Sequence, residues 1–188
     1  MSDITSDINC ITKTAETKRL LVDGGCLPMA LLTPFGLSGA FGMARIRSYG
    51  TRFEFQEDGQ EVVAFAWREP SVEDYQDVVA FNFSRPEHAW TRYGVASILG
   101  DDALLKAIAC QEPIRIRRTV LDWLRADLNG ICVIDWKAAW WRLRGARLVV
   151  EDYEHGRELE RRLRAPDPEL PNIALINKVF IPASARAA

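Results

Sequence analysis

The strongest constraint on the fold is an alternation, in the second half of the chain, between short apolar runs and short segments with helical periodicity. Residues 131–134 and 147–150 are apolar at almost every position, which is typical of strands buried on both faces of a sheet. Helices are predicted at residues 103–109, 120–127, 136–144 and 153–164. Strands that alternate with helices in this way predict a parallel sheet with right-handed crossovers.

The first half of the chain carries strand signals instead. Polar and apolar side chains alternate over residues 45–49 and 52–56, and a return strand is predicted at residues 61–67. The intervening residues 57–60, Glu-Asp-Gly-Gln, predict a hairpin turn, since glycine accepts a positive φ. Further strands are predicted at residues 77–83, 173–176 and 179–181.

These patterns together predict an α/β (or α+β) fold. An N-terminal β-hairpin region is expected to extend or pack on a small parallel βαβαβ sheet. Residues 1–18 are polar without periodicity and predict a flexible N-terminal arm. Residues 19–99 form the β-rich region and residues 100–182 the α/β region, and one compact domain is expected to contain both.

Composition limits the class of protein. The longest apolar stretch, residues 26–44, is interrupted by prolines and glycines, so no membrane span is predicted. The N-terminus is polar and acidic, unlike a secretory signal, and this predicts a cytoplasmic protein. The four cysteines are widely spaced, without the close pairs that a zinc site needs, and a cofactor-free protein is expected.

Acidic side chains directly follow two of the predicted strands. Asp135 comes after residues 131–134, and Glu151 and Asp152 come after residues 147–150. Ligands of open α/β sheets bind beyond the carboxyl ends of the strands, so adjacent strands would bring the three carboxylates together as a Mg²⁺ site. The favoured alternative is that each acid caps the helix that follows it.

Residues 148–156, Leu-Val-Val-Glu-Asp-Tyr-Glu-His-Gly, resemble the Toprim domain of primases and topoisomerases. That family carries a Glu after one strand and an Asp-x-Asp pair after another. Here Asp152 and Glu154 stand at the pair, and Asp135 stands where the family has its Glu. The resemblance implies a Mg-dependent, Toprim-like or nuclease-like enzyme that uses Asp135, Glu151 and Asp152.

A longer run, residues 115–136, resembles uncharacterised proteins encoded on bacterial prophages and other mobile elements. It begins Arg-Ile-Arg-Arg-Thr-Val-Leu-Asp-Trp-Leu and ends Gly-Ile-Cys-Val-Ile-Asp-Trp. The resemblance implies a role near replication, defence or transfer, and it implies no activity and no site residues.

Charge is divided unevenly along the chain. Residues 1–114 carry a net charge of −6 and residues 115–164 a net charge of +4. Arg157, Arg161 and Arg164 lie near one face of the last predicted helix, where a basic surface would suit phosphates. Glutamates on the same helix favour an ordinary solvated face. An exposed position is likewise favoured for His155, with an acid–base role as the alternative.

Tryptophan is concentrated in the same region. Trp136 and Trp140 share one face of a short predicted helix, and Trp141 points to one side of it. A helix this short cannot bury three tryptophans, and tryptophan is favoured at protein interfaces. The surplus therefore predicts a partner surface.

The sequence as a whole favours a non-enzymatic binding or accessory protein of a bacterial mobile element, with the Mg-dependent enzyme as the alternative. Another protein or a second copy of the chain is the expected partner, nucleic acid is less favoured, and no membrane is involved. The candidate contact residues are Trp136, Trp140, Trp141, Arg157, Arg161 and Arg164.

Overall fold

A computed structural model describes residues 4–11, 19, 21–25, 41–69 and 71–163 of the chain. The strands are β1 (Phe41–Tyr49), β2 (Arg52–Phe55), β3 (Gln60–Trp67), β4 (Asp77–Phe81), β5 (Ala89–Thr91), β6 (Ile98–Leu99), β7 (Pro113–Arg117), β8 (Ile131–Val133) and β9 (Arg147–Val149). The helices include α1 (Ile4–Asn9), α2 (Asp101–Cys110), α3 (Val120–Arg125), α4 (Trp136–Ala139) and α5 (Tyr153–Leu163). The predicted mixed α/β class is confirmed.

The β-rich region is a closed five-stranded barrel rather than an extension of the second sheet. Its strand order is β1-β2-β5-β4-β3, and β3 pairs back onto β1. Small and branched side chains such as Ala44, Val62 and Ala80 fill the interior together with Phe53 and Trp90. The fold therefore contains two sheets, because the first one closes on itself instead of offering an edge to the second.

Strands β3 and β4 are buried on both faces, which explains their unbroken apolar sequence. Val62 and Val78 belong to the barrel interior, whereas Phe65, Trp67 and Phe81 belong to a core cluster that also contains residues of α3 and β8. The outer face of these two strands is therefore the surface on which the barrel and the second sheet pack together.

The hairpin is present, but its turn lies elsewhere than predicted. The chain reverses at Gly50 and Thr51, between β1 and β2, and Gly50 has a φ of 62°. Strands β2 and β3 both pair with β1, so residues 57–60 do not form a β2–β3 hairpin. Gly59 serves a different purpose there, since a Cβ at this position would lie 2.3 Å from the carbonyl oxygen of Ile46.

The second sheet has the order β6-β8-β7-β9. Strand β7 pairs parallel with both β8 and β9, and β6 pairs antiparallel with β8, so the sheet is mixed. Side chains from α2, α4 and α5 pack with Ile116 and Ile131 on one face. On the other face, Leu99 of β6 and Cys132 of β8 belong to the same core cluster as residues of α3 and of the barrel.

Several boundaries differ from the predicted ones. The helix predicted at residues 136–144 ends at Ala139 and continues as turns to Gly145. Residues 4–9 form α1, within the segment predicted to be a flexible arm, and Asp7 of this helix is buried. The strands predicted at residues 173–176 and 179–181 lie outside the described residues. Within those residues, no helix is long and apolar enough to cross a membrane.

Candidate functional site

Asp135 caps the helix that follows it, which is the role that the sequence favours over metal binding. Its carboxylate accepts hydrogen bonds from the backbone N–H groups of Lys137 and Ala138, at 3.0 and 3.1 Å, at the start of α4. The hydroxyl of Thr51 donates to the same carboxylate at 2.9 Å. Asp135 therefore ties the barrel turn to α4, and both of its oxygens have partners.

Glu151 and Asp152 are neutralised by arginines from the end of β7. Arg117 lies 2.8 Å from Glu151, and Arg118 lies 3.1 Å from Asp152. Asp152 also caps α5, because it accepts a hydrogen bond from the N–H of His155 at 2.7 Å. That hydrogen bond and the charge of Arg118 lower the pKa of Asp152.

The three acids do not form one cluster. They follow β8 and β9, and β7 lies between these strands, so the adjacency that a shared metal site requires is missing. The part of the chain that the structure describes contains no group of three or more His, Cys, Asp or Glu side chains that could hold a metal ion. The geometry of Asp135, Glu151 and Asp152 is that of helix caps and ion pairs.

A crevice lies at the carboxyl ends of β7 and β8, which is where open α/β sheets bind ligands. Residues of the β4–β5 connection and of α5 contribute to its lining. Its volume is about 130 Å³. The side chains that line it include those of Arg118, Thr119, Cys132, Trp136, His155, Glu158 and Arg162.

His155 is the most unusual side chain of this crevice. It is only 3% exposed, and its Nδ1 atom has no hydrogen-bond partner. Burial lowers the pKa of His155, and the charge of Arg118 lowers it further, whereas Glu151, Glu158 and Asp152 act in the opposite direction. The imidazole is therefore held in its neutral form beside a cation.

Two arginines meet one glutamate at the mouth of the crevice. Arg162 donates two hydrogen bonds to Glu158, at 2.6 and 2.9 Å, and Arg118 lies 3.8 Å from the same carboxylate. The guanidinium of Arg162 also stacks 4.9 Å from the ring centroid of Trp136. Trp136 is thus a wall of the crevice and a cation–π partner.

Thr119 and Cys132 complete the crevice without free reactivity. The hydroxyl of Thr119 caps α3 by accepting a hydrogen bond from the N–H of Asp122 at 3.1 Å, and it donates to the Asp122 carboxylate. Burial raises the pKa of the Cys132 thiol, so this cysteine is a small core side chain at neutral pH.

The predicted contact residues are spread over several environments. Trp140 donates its indole N–H to the carbonyl oxygen of Leu163 at 3.1 Å, whereas the side chain of Trp141 is 66% exposed. Arg157 and Arg161 are exposed on α5, and Arg157 lies 6.0 Å from the ring centroid of Tyr153. Arg164 lies outside the described residues.

Sequence reasoning missed the buried position of His155, although the signal was present. His155, Leu159 and Leu163 follow each other at intervals of four residues, so they share one face of α5. That face packs on the sheet, and both His155 and Leu159 are buried there. The expectation of an exposed histidine is therefore wrong. The many glutamates and arginines of α5 indicate a solvated helix, and its narrow apolar face was not recognised among them.

Comparison with known proteins assigns no identity to this arrangement. The chain matches no protein-family model, no curated protein and no solved structure.

Proposed function

We propose that this chain is a non-enzymatic binding protein that contacts another protein through the outer face of α5 and the adjoining Trp141. The observation that carries the proposal is the side chain of Trp141, a large aromatic group that is 66% exposed. Tryptophan, tyrosine and arginine are the residue types that most often dominate binding energy at protein interfaces.

The outer face of α5 adds an aromatic side chain and two arginines to Trp141. Tyr153, Arg157 and Arg161 follow at intervals of four residues, which places them on one exposed stripe. Tyr153 is 71% exposed, and Arg157 donates a hydrogen bond to its hydroxyl at 3.4 Å. We call these three residues the α5 stripe.

Trp141 adjoins the C-terminal end of this helix. Its neighbour Trp140 is hydrogen-bonded to Leu163, the last residue of α5, so the chain at Trp141 stays close to that end. Two exposed aromatic side chains, Tyr153 and Trp141, therefore lie near the two ends of α5.

The chemistry of the partner follows from charge. Neither Arg157 nor Arg161 forms an ion pair with a carboxylate in the described part of the chain, and residues 115–164 carry a net charge of +4. An acidic protein surface with an apolar patch for Trp141 complements both features. The resemblance of residues 115–136 to prophage-encoded proteins supports an accessory role on a bacterial mobile element.

A comparative capture experiment tests the proposal. The full-length chain and its Trp141→Ala, Arg157→Ala and Tyr49→Ala variants are immobilised, and nuclease-treated bacterial lysate is passed over each. Tyr49 is the matched control, because it is an aromatic residue that is 54% exposed on the barrel. The captured protein is then purified and its affinity for each variant is measured.

We expect an acidic protein that binds the wild type and Tyr49→Ala equally. Loss of an aromatic or arginine anchor costs about 2 kcal/mol, so Trp141→Ala and Arg157→Ala should bind roughly 30-fold more weakly. Equal binding by all four proteins would overturn the proposal. A parallel capture from untreated lysate is the comparison, and binding that occurs only there would also overturn the proposal, since the ligand would then be nucleic acid.

A further inference from the structure

We propose that the crevice at the carboxyl ends of β7 and β8 binds one small oxyanion, the size of a phosphate or a carboxylate group, through His155, Arg118 and Arg162. This site lies on the inner face of α5, whereas the protein contact proposed above uses the outer face. The two proposals are therefore independent and are tested by different variants.

The size of the crevice limits the ligand. Its volume of about 130 Å³ corresponds to about four water molecules at roughly 30 Å³ each. Pockets for drug-sized molecules and cofactors occupy about 300–1,000 Å³. The volume of the crevice therefore suits a single anionic group better than a whole nucleotide or a larger cofactor.

An unsatisfied imidazole nitrogen indicates that the crevice takes a polar ligand. Nδ1 of His155 has no hydrogen-bond partner, and the residue is 3% exposed. Burying a polar group without a partner is unfavourable, so such groups in folded proteins generally have one. When the proton of the imidazole is on Nδ1, an oxyanion oxygen that accepts a hydrogen bond from Nδ1–H would supply this partner.

The arginines favour an anion over a cation. Each guanidinium has five N–H donors, and Arg162 directs only two of its hydrogen bonds to Glu158. Arg118 donates to Asp152, outside the crevice lining, and lies too far from Glu158 for a direct hydrogen bond. Both side chains therefore retain donors in the fork geometry that recognises phosphate and carboxylate groups.

The carboxylates that line the crevice do not form a site for a cation. Glu158 already accepts two hydrogen bonds from Arg162, and Glu87 is an exposed residue of the β4–β5 connection. Among the described residues, no set of three potential ligands surrounds a common point. The remaining N–H groups of Arg118 and Arg162 are solvent-exposed donors that can turn to an anion, and Nδ1 of His155 is a donor beside them in the tautomer that carries its proton there.

The two histidines of the chain allow a direct test by nuclear magnetic resonance. His155 lines the crevice. His88 is exposed in the β4–β5 connection, does not itself line the crevice, and serves as an internal reference. Sodium phosphate and, separately, sodium acetate are titrated into the full-length protein at constant pH and ionic strength, with sodium chloride as the balance. The imidazole carbon-bound protons of both residues are followed throughout.

We expect a saturable shift of the His155 resonances with at least one of the two anions and none for His88. The stronger ligand identifies the oxyanion class. Charge-assisted hydrogen bonds contribute about 1.5–3 kcal/mol, so Arg118→Gln and Arg162→Gln should each weaken binding roughly tenfold or more. Arg45→Gln, which changes an exposed arginine of β1, should leave the affinity unchanged.

Two results would overturn the proposal. One is a titration in which the two histidines shift alike or not at all with both anions. The other is unchanged anion affinity in both Arg118→Gln and Arg162→Gln. Because Arg118 also neutralises Asp152, the fold of that variant is checked by circular dichroism, and Arg162→Gln decides the question if Arg118→Gln unfolds.

Discussion

Trp67 and Trp123 meet edge to face at the junction between the barrel and the second sheet. Their ring centroids lie 5.3 Å apart with an interplanar angle of 76°. Trp67 is the last residue of β3, and Trp123 belongs to α3. The indole N–H of Trp123 donates a hydrogen bond to the carbonyl oxygen of Gly130 at 3.1 Å. This pair lies in the cluster that contains side chains from both parts of the fold.

We expect Trp123→Ala to lower the free energy of unfolding by about 3–5 kcal/mol, because truncating a buried tryptophan removes apolar burial and leaves a cavity. Trp141→Ala is the matched control and should change it by less than about 0.5 kcal/mol, since that side chain is exposed. Urea denaturation measures both values. Similar losses in the two variants would contradict the assignment of Trp123 to the junction.

Asp77 organises the chain that leaves the barrel. Its fully buried carboxylate accepts hydrogen bonds from four backbone N–H groups, those of Val78, Tyr93, Val95 and Ala96. Asp77→Ala would leave these donors buried and unpaired, at a cost of about 3 kcal/mol or more. Asp74→Ala, at an exposed acid three residues earlier, should cost less than about 0.5 kcal/mol. Thermal and urea denaturation of both variants check this, and equal stability of the two would refute it.

Ionisation of Glu69 is expected to make the free energy of unfolding depend on pH between the acidic range and neutrality. Its carboxylate accepts hydrogen bonds from the N–H groups of Asp101 and Asp102 at the start of α2, at 3.2 and 3.3 Å. Burial raises the pKa of Glu69 above its usual value of 4.5, partly offset by the hydrogen bond from Asp102. The folded state thus retains its proton to higher pH than the unfolded state, and stability falls as pH rises from about 4.5 through the raised pKa.

We therefore expect Glu69→Gln to gain stability relative to the wild type as pH rises from about 4 to 7. Glu73→Gln, at an exposed position of the same connection, should run parallel to the wild type. Urea denaturation across this pH range measures the difference. A constant offset between Glu69→Gln and the wild type would show that burial of Glu69 does not perturb its ionisation.

Local sequence patterns are sufficient to predict most helices and strands between residues 100 and 163. Thr119 and Asp135 occupy the cap positions that their sequence neighbours indicate, and both accept hydrogen bonds from the first turn of a helix. The helix predicted at residues 136–144 is too long, because its helical pattern continues through residues that form turns. A turn can place apolar side chains such as Leu143 in the core as well as a helix can.

The features that the sequence does not predict, namely α1, β6 and the crevice, depend on contacts between residues far apart in the chain. Helix α1 is attached to the barrel through Asp7, whose carboxylate accepts a hydrogen bond from Arg92 at 3.0 Å and another from the hydroxyl of Tyr93. These partners are more than 80 residues away along the chain, so no local periodicity reveals them. Strand β6 has two residues, which is too short for an alternation to appear. The crevice likewise combines residues of separate elements whose meeting depends on strand order.

The ionisation of His155 makes a final prediction, which tests its burial separately from anion binding. Its pKa in the folded protein is lowered from the usual 6.5, first by burial and then by Arg118. The unfolded chain therefore takes up a proton at higher pH than the folded one, and stability is lost as pH falls from about 6.5 through the lowered pKa. The acids facing the ring, Asp152, Glu151 and Glu158, reduce this effect without reversing it.

We expect this part of the pH dependence to disappear in His155→Gln and to persist in His88→Gln, whose histidine is exposed. Denaturation is measured between about pH 7 and pH 5 in chloride buffers free of phosphate and carboxylates, so that no oxyanion contributes. Adding phosphate should then reduce the loss in the wild type, because an anion beside the imidazole stabilises its protonated form. Curves for His155→Gln and the wild type that stay parallel would mean that the imidazole is as accessible to protons in the folded protein as in the unfolded chain.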